Sequence, residues 1–352
     1  MSKHPQISII MPVYNGERFI AKAVESVLNQ SFTDYELLII DDGSTDGSME
    51  VVKGFNDSRI RLISNECNMG LVTSRNIGIH QSKGEYVAFL DCDDIALRHR
   101  LKIQYDLLVN NPSYALIGSW IVLIDDNGAV TGEFSRYEEP AKAIPSILLF
   151  DNYFAQSAIM AKREILASEL YRSEYPCAED YDLFSRIASY AKTWNIPEVL
   201  TLYREHAGGI SKKRRDLITA CTKKIYSWQL NCLGISPSLE ELEVHASIGC
   251  IASTAQEFDL SRIKEWLLKL YAANNLSKKY DAQAFSDLIL EKMALSCLAQ
   301  GRTVANLLAY YFPLIGVALP EKIKILLKIV KRNISKKIFK RKVLRGGVDA
   351  FA

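Results

Sequence analysis

The chain has little that would staple it together or anchor it. Its seven cysteines (67, 92, 177, 221, 232, 250 and 297) are odd in number, scattered, and never spaced Cys-x-x-Cys. Neither a disulfide framework nor a zinc knuckle is indicated, and free thiols suit a reducing cytosol. Long apolar runs are also missing. The longest, Leu307 to Leu319, has 13 residues and contains Pro313 and Gly316, whereas a spanning helix needs about 20. The residues before the first strand pattern carry no apolar run of signal-peptide length. Gly-x-Gly-x-x-Gly and Gly-x₄-Gly-Lys-Ser/Thr are both absent, so dinucleotide and P-loop readings lose support.

Net charge is nearly absent too. The 352 residues hold 43 Lys and Arg against 41 Asp and Glu, a net of +2. That sum hides two opposed parts. Pro320 to Arg345 carries eleven Lys and Arg and one acid, Glu321, leaving 32 basic and 40 acidic residues elsewhere. An acidic body therefore ends in a basic tail. The body lacks the field that phosphates require, which argues against a general nucleic-acid binder. Apolar residues make up 48%, enough for a packed core, and the length suggests two domains.

The first 125 residues alternate strand and helix patterns. Ile7–Tyr14, Tyr35–Asp42, Ile60–Ser64, Tyr86–Asp91 and Tyr114–Ile124 read as strands, and Arg18–Gln30, Gly70–Gln81 and Leu97–Val109 as helices. Repeated strand–helix units predict an α/β fold with a parallel sheet. Ligands then bind beyond the C-terminal ends of the strands, where Asp41, Asp42, Asp91, Asp93 and Asp94 gather. From Glu133 to Tyr175 the pattern is irregular. Glu179–Tyr190 reads as a helix and Val199–Glu205 as a strand. Gly208-Gly209 and Lys212-Lys213-Arg214-Arg215 then mark a boundary. Beyond 216 only helical patterns follow. The expected division is 1–210, 211–319 and a basic tail, 320–352.

Four constellations carry chemistry. Asp91-Cys92-Asp93-Asp94 crowds three carboxylates at a strand end. Either a hard cation such as Mg²⁺ or Mn²⁺ sits between them, or the turn is solvated. Pro12-Val13-Tyr14-Asn15-Gly16 and Asp41-Asp42-Gly43-Ser44 follow neighbouring strands. A tyrosine ring can stack on a base and a carboxylate can accept a base N–H; ordinary turns are the alternative. Glu179-Asp180 opens a helix, either as a general base or as helix caps. Tyr203-Arg204-Glu205-His206 offers a metal or phosphate ligand in His206, and Arg75 a phosphate contact; a surface histidine and a surface ion pair are the alternatives.

Together these stretches resemble the family-2 inverting glycosyltransferases. ISIIMPVYNGERFIAKAVESVLNQSFTDYELLIIDDGSTDGS, NMGLVTSRNIGIHQSKGEYVAFLDCDD and AEDYDLFSRIA are similar to that family's signatures, in order and spacing, over about 200 residues. The resemblance implies a GT-A fold, Rossmann-like, followed here by a helical region it does not cover. It implies a nucleotide-diphosphate sugar donor, most often a UDP-sugar, and Mn²⁺ or Mg²⁺. It assigns Pro12, Tyr14 and Asp42 to the nucleoside, and Asp91 and Asp93 to the family's Asp-x-Asp, with Asp93 on the metal. Asp94 stands where the family often has a further acid. Asp180 matches the catalytic base, Glu179 the acid that holds the acceptor, and His206 a further metal or diphosphate contact of some members. The Gln-x-x-Arg-Trp motif of the processive synthases is absent, so a single transfer is expected. Family analogy suggests surface-polysaccharide or glycolipid assembly, with a saccharide or lipid-linked acceptor.

In the tail, Ile323, Leu326, Leu327, Val330, Ile334 and Ile338 recur at three- and four-residue steps among Lys and Arg. Such a helix can lie on an anionic bilayer, which would place the chain at the inner face of the cell membrane; packing on the acidic body and a nucleic-acid arm are the alternatives. A non-catalytic sugar-nucleotide or carbohydrate-binding subunit and a nucleotidyltransferase are the other function classes.

Overall fold

The computed structural model describes residues 4–134, 139–209, 214–249 and 259–300. Nine strands among them form one mixed sheet. β1 (Ile7–Val13) and β2 (Tyr35–Asp41) are apolar runs buried along their whole length, as strands covered on both faces must be. β3 (Ile60–Ser64) and β4 (Tyr86–Phe89) join them in parallel, in the order β3-β2-β1-β4. α1 (Ile20–Leu28) turns Ile20, Ala23, Val24 and Val27 inward, one stripe at helical spacing. α2 (Ser48–Lys53) and α3 (Leu71–Gln81) supply the next two crossovers.

Beyond β4 the pairing departs from the expected parallel sheet. β8 (Met160–Lys162) pairs antiparallel with both β4 and β6 (Tyr114–Ile124). β6 lies parallel to β9 (Lys192–Arg204), β5 (Ile95–Ala96) antiparallel to β9, and β7 (Val130–Phe134) antiparallel to β6. The strand expected at Val199 thus begins at Lys192. Its first half includes Thr193 and Asn195, which are buried despite their polarity. The register jumps from Ser119↔Ile196 to Trp120↔Val199, so Pro197 and Glu198 bulge from the ladder, as proline in a paired strand requires. β8 has three residues and β5 two, too short to show a period.

α4 (Arg100–Asn110) follows β5, and α5 (Ile144–Ile147) follows β7. A 3-10 turn, Gln156–Ala158, leads into β8, then α6 (Arg163–Glu169) and α7 (Glu179–Ala188). The sheet belongs to a first compact unit, which runs to Ala141 and resumes over Phe154–Ile218. Lys142–Tyr153 belongs instead to a second unit, with the chain from Thr219 onward. A single cut near residue 210 therefore does not divide the chain.

The second unit is helical: α8 (Arg215–Cys232, which enters it at Thr219), α9 (Leu239–Gly249), α10 (Leu260–Ser277) and α11 (Ala282–Ala299). The carbonyls of Leu148, Leu149 and Phe150 accept hydrogen bonds from Gln229, His245 and Tyr226. His245 is fully buried. It also accepts from Trp266 Nε1 at 3.1 Å and stacks on Phe150 at 4.8 Å. Among the described residues no helix is long and apolar enough to cross a membrane. The helical patterns beyond residue 300, the tail 320–352, Lys212 and Lys213 lie outside the described residues.

Candidate active site

The parallel register brings the loops after β1, β2, β3 and β4 to one edge. Val13 lies opposite Asp41 and Asp41 opposite Ser64, and Leu90 N donates to Ile10 O at 3.1 Å. Two close approaches fix the loops. A Cβ on Gly16 would stand 2.9 Å from Cys92 Sγ. One on Gly43, whose φ is +74°, would stand 2.7 Å from the Cys67 carbonyl carbon, so a side chain there meets both strain and backbone.

The three residues expected at a nucleoside differ in access. Tyr14 is half exposed at the edge, while Pro12 is buried within β1 opposite Ile40. Asp42 is 4% exposed. Its carboxylate accepts from Asn65 Nδ2 at 2.8 Å, Met69 N at 2.9 Å and Gly70 N at 2.8 Å. Asp42 thus holds the loop that starts α3, a role the turn reading did not reveal.

The turn after β4 is closed by Asp94 N donating to Asp91 O at 3.1 Å. Its three acids face three different partners. Asp91 accepts from Arg75 Nη2 at 3.1 and 3.3 Å. Asp93 Oδ2 lies 3.0 Å from His206 Nε2. Asp94 Oδ1 accepts from Arg204 N at 2.7 Å. Burial and the Asp91 carboxylate raise Asp93 above the usual carboxylate range, against the opposing effect of His206. Burial, then Asp93 and Asp91, raise Asp94 well above it. Like charges crowded in a low dielectric resist joint ionisation.

Arg204 donates Nε to Asp93 O at 2.8 Å and Nη1 to Asp125 O at 2.5 Å. Its guanidinium lies 4.7 Å from the Phe19 ring centre, and His206 meets the same ring edge-on at 5.0 Å. Phe19 therefore braces both groups that line the Asp93 side.

Arg75, expected at a phosphate or in a surface ion pair, is engaged by two carboxylates in the interior. It is 3% exposed and joins the two acid clusters: Nη1 donates to Glu179 Oε1 at 2.6 Å while Nη2 holds Asp91. Burial opposes its charge, but Asp91 and Glu179 outweigh that and raise its pKa. Its ring neighbour is Tyr171, 5.5 Å away.

Glu179 and Asp180 open α7. The residue before them, Ala178, makes no side-chain cap, and Asp180 Oδ1 accepts from Tyr181 N at 2.7 Å. Burial and the neighbouring Glu179 push Asp180 up to about 7, against the pull of Arg75 and the Tyr181 amide.

As a holder for a cation, the site offers a pair and not a triad. Among the described residues no three His, Cys, Asp or Glu side chains converge on one point. Asp93 and His206 adjoin, and Asp91 is taken by Arg75. One carboxylate and one imidazole suit Mn²⁺, and leave its other positions to phosphate oxygens and water.

The profile of glycosyl transferase family 2 matches residues 8–162. A glycosyltransferase of Methanocaldococcus jannaschii is 32% identical over 229 residues, 64% of this chain and 77% of its own length. The chain belongs to glycosyl transferase family 2. It is a transferase enzyme, and its first unit has the GT-A fold. A Bacillus subtilis relative, EpsE, is 30% identical over 65% of this chain and 83% of its own. An Escherichia coli relative, WfaP, is named as a UDP-Glc:alpha-D-GlcNAc-diphosphoundecaprenol beta-1,3-glucosyltransferase; it is 31% identical over 60% of this chain and 82% of its own. The crystal structure of S. aureus TarS 1-349 superposes with a TM-score of 0.54 at 17% identity, over 86% of this chain and 89% of that one, a likeness of fold.

Sequence reasoning did not mark Phe19, Ser157 or Tyr171 as neighbours of the site residues, and it named Arg204 only as part of a tetrad, not as a partner of Asp93 and Asp94. Arg204 and Phe19 stood beside marked residues, but nothing local said they face Asp93. Ser157 and Tyr171 fall in the irregular stretch and gave no signal.

Proposed function

We propose that the chain transfers a sugar, with inversion, from a UDP-sugar to a hydroxyl of a saccharide or lipid-linked acceptor. The observation that carries this is the buried Arg75 bridge between Asp91 and Glu179. It sets a donor-side and an acceptor-side acid cluster at a fixed spacing. The name of WfaP, with its UDP-glucose donor and diphosphoundecaprenol acceptor, supports the substrate classes.

The acceptor hydroxyl binds at Glu179, which Arg75 holds in place. Asp180 takes its proton as the oxygen attacks the anomeric carbon and the bond to the diphosphate breaks. A pKa near 7 suits a base working near neutrality. Tyr14 stacks on the base, and Asp42 keeps the loop beside it in register. Asp93 and His206 would hold a divalent cation, which would supply charge neutralisation for the leaving diphosphate. The basic segment 320–345 is proposed to hold the chain on an anionic membrane surface, near a lipid-linked acceptor.

A panel of UDP-, GDP- and dTDP-sugars, with and without Mn²⁺, tests this by nucleoside diphosphate release. Metal-dependent UDP release is expected. Release of pyrophosphate would mean a nucleotidyltransferase, and nucleotide binding without release a non-catalytic subunit. Liposome sedimentation of the chain with and without residues 320–352 tests the membrane contact, which is expected to weaken as salt rises.

A further inference from the structure

The 3-10 turn Gln156–Ala158 is buried at all three residues, although none of them belongs to either acid cluster. Ser157 is 0% exposed. Its Oγ accepts from Asp91 N at 3.0 Å, at the first residue of the acidic turn. Arg204 grips the same turn from the other side, at Asp93 O and the Asp94 carboxylate. The turn's backbone is therefore clamped between two side chains more than forty residues apart in sequence.

The residue beside the serine is itself held. Gln156 donates Nε2 to the Tyr171 hydroxyl at 2.7 Å. Tyr171 exchanges two 2.9 Å hydrogen bonds with Asn76, N to Oδ1 and Nδ2 to O, and Asn76 follows Arg75 on α3. The residue beside the serine is thus tied through Tyr171 to α3 before any ligand arrives.

We propose that Ser157 is a positioning residue for the Asp91–Asp94 turn, presetting Asp93 for a divalent cation and the donor diphosphate. This rests on the reading of Asp93 as the cation-holding acid. Ser157 acts through its neighbours in the turn, the Asp91 amide and the Asp94 carboxylate. Supporting groups of this kind commonly account for 10- to 100-fold in metal affinity.

The test is direct Mn²⁺ binding to the full chain in the presence of UDP, read as loss of the free-Mn²⁺ electron paramagnetic resonance signal. Ser157→Ala is expected to weaken binding about 10- to 100-fold, and Ser157→Cys, whose sulfur is a weaker acceptor, by less. Ser146→Ala removes another fully buried serine hydroxyl, bonded to Ala143 O in the second unit. It is expected to lower the melting temperature and leave Mn²⁺ affinity unchanged. Wild-type-like affinity in Ser157→Ala overturns the inference; should that variant not fold, wild-type-like affinity in Ser157→Cys does the same. A wild-type chain that binds no Mn²⁺ overturns the underlying reading of Asp93 instead.

Discussion

Arg75 Nη1 and Glu179 Oε1 lie 2.6 Å apart, both side chains buried, across 104 residues of sequence. The same guanidinium holds Asp91. One helix residue thus fixes how far Glu179 stands from Asp91. A buried cation between two carboxylates is costly to remove, because both acids stay behind uncompensated.

Arg75→Met is therefore expected to lower unfolding stability by about 3–5 kcal/mol and to abolish transfer. Urea unfolding and UDP release check the two effects. Arg75→Lys keeps the charge but cannot fork to both acids. It should recover part of the stability and little of the rate.

Asp180→Asn is expected to cut turnover about 10²–10⁴-fold while UDP binding holds. In the wild type, activity should rise with pH through about 7, where Asp180 becomes ionised. Stability runs the other way. The folded chain holds this proton more tightly than the unfolded one, so the contribution is full below the ordinary aspartate value and is lost as pH rises through about 7. Asp180→Asn should consequently melt higher than wild type at pH 8, and a thermal scan at pH 5 and pH 8 reads the difference.

At the opposite edge of the sheet, Glu36 accepts from Ser8 Oγ at 2.6 Å, Lys83 N at 2.8 Å, and Arg61. Burial opposes its charge, and these partners overcome that to hold its pKa below the usual value. Its stabilisation is present above the ordinary glutamate range and fades as pH falls through the lowered value. Glu36→Gln should cost about 1–3 kcal/mol at pH 7 and less in acid, with Mn²⁺ and UDP affinities untouched. Denaturant titration at pH 7 and pH 4, beside nucleotide calorimetry, separates this end from the site.

In the second unit, burial lowers His245 to about 4, against the Leu149 carbonyl that favours its charge. The unfolded chain therefore takes up this proton first, and the stabilisation present above pH 6.5 declines as pH falls towards 4. His245→Gln should melt lower than wild type at pH 7, with a smaller gap at pH 5. An equal gap at both pH values would show that His245 is not buried neutral.

Local patterning determined a good deal here. The buried runs of β1, β2 and β4 and the apolar stripe of α1 are periodic over short windows, so period and propensity identify them. The order of the acidic motifs marked Asp91, Asp93, Glu179 and Asp180, because each ends a strand or opens a helix that is legible by itself. What each side chain faces is a matter of long-range packing. Asp42 turned towards the α3 loop, Arg75 towards Asp91 and Glu179, and Ser157 towards the Asp91 amide, through contacts that join distant segments. β8 and β5 are two or three residues long and draw their stability from neighbours, not from their own sequence. Lys142–Tyr153 joined the helices because the Leu148, Leu149 and Phe150 carbonyls find their donors there. Only the tertiary structure decides such pairings, since a buried polar group takes whichever partner the fold brings within reach.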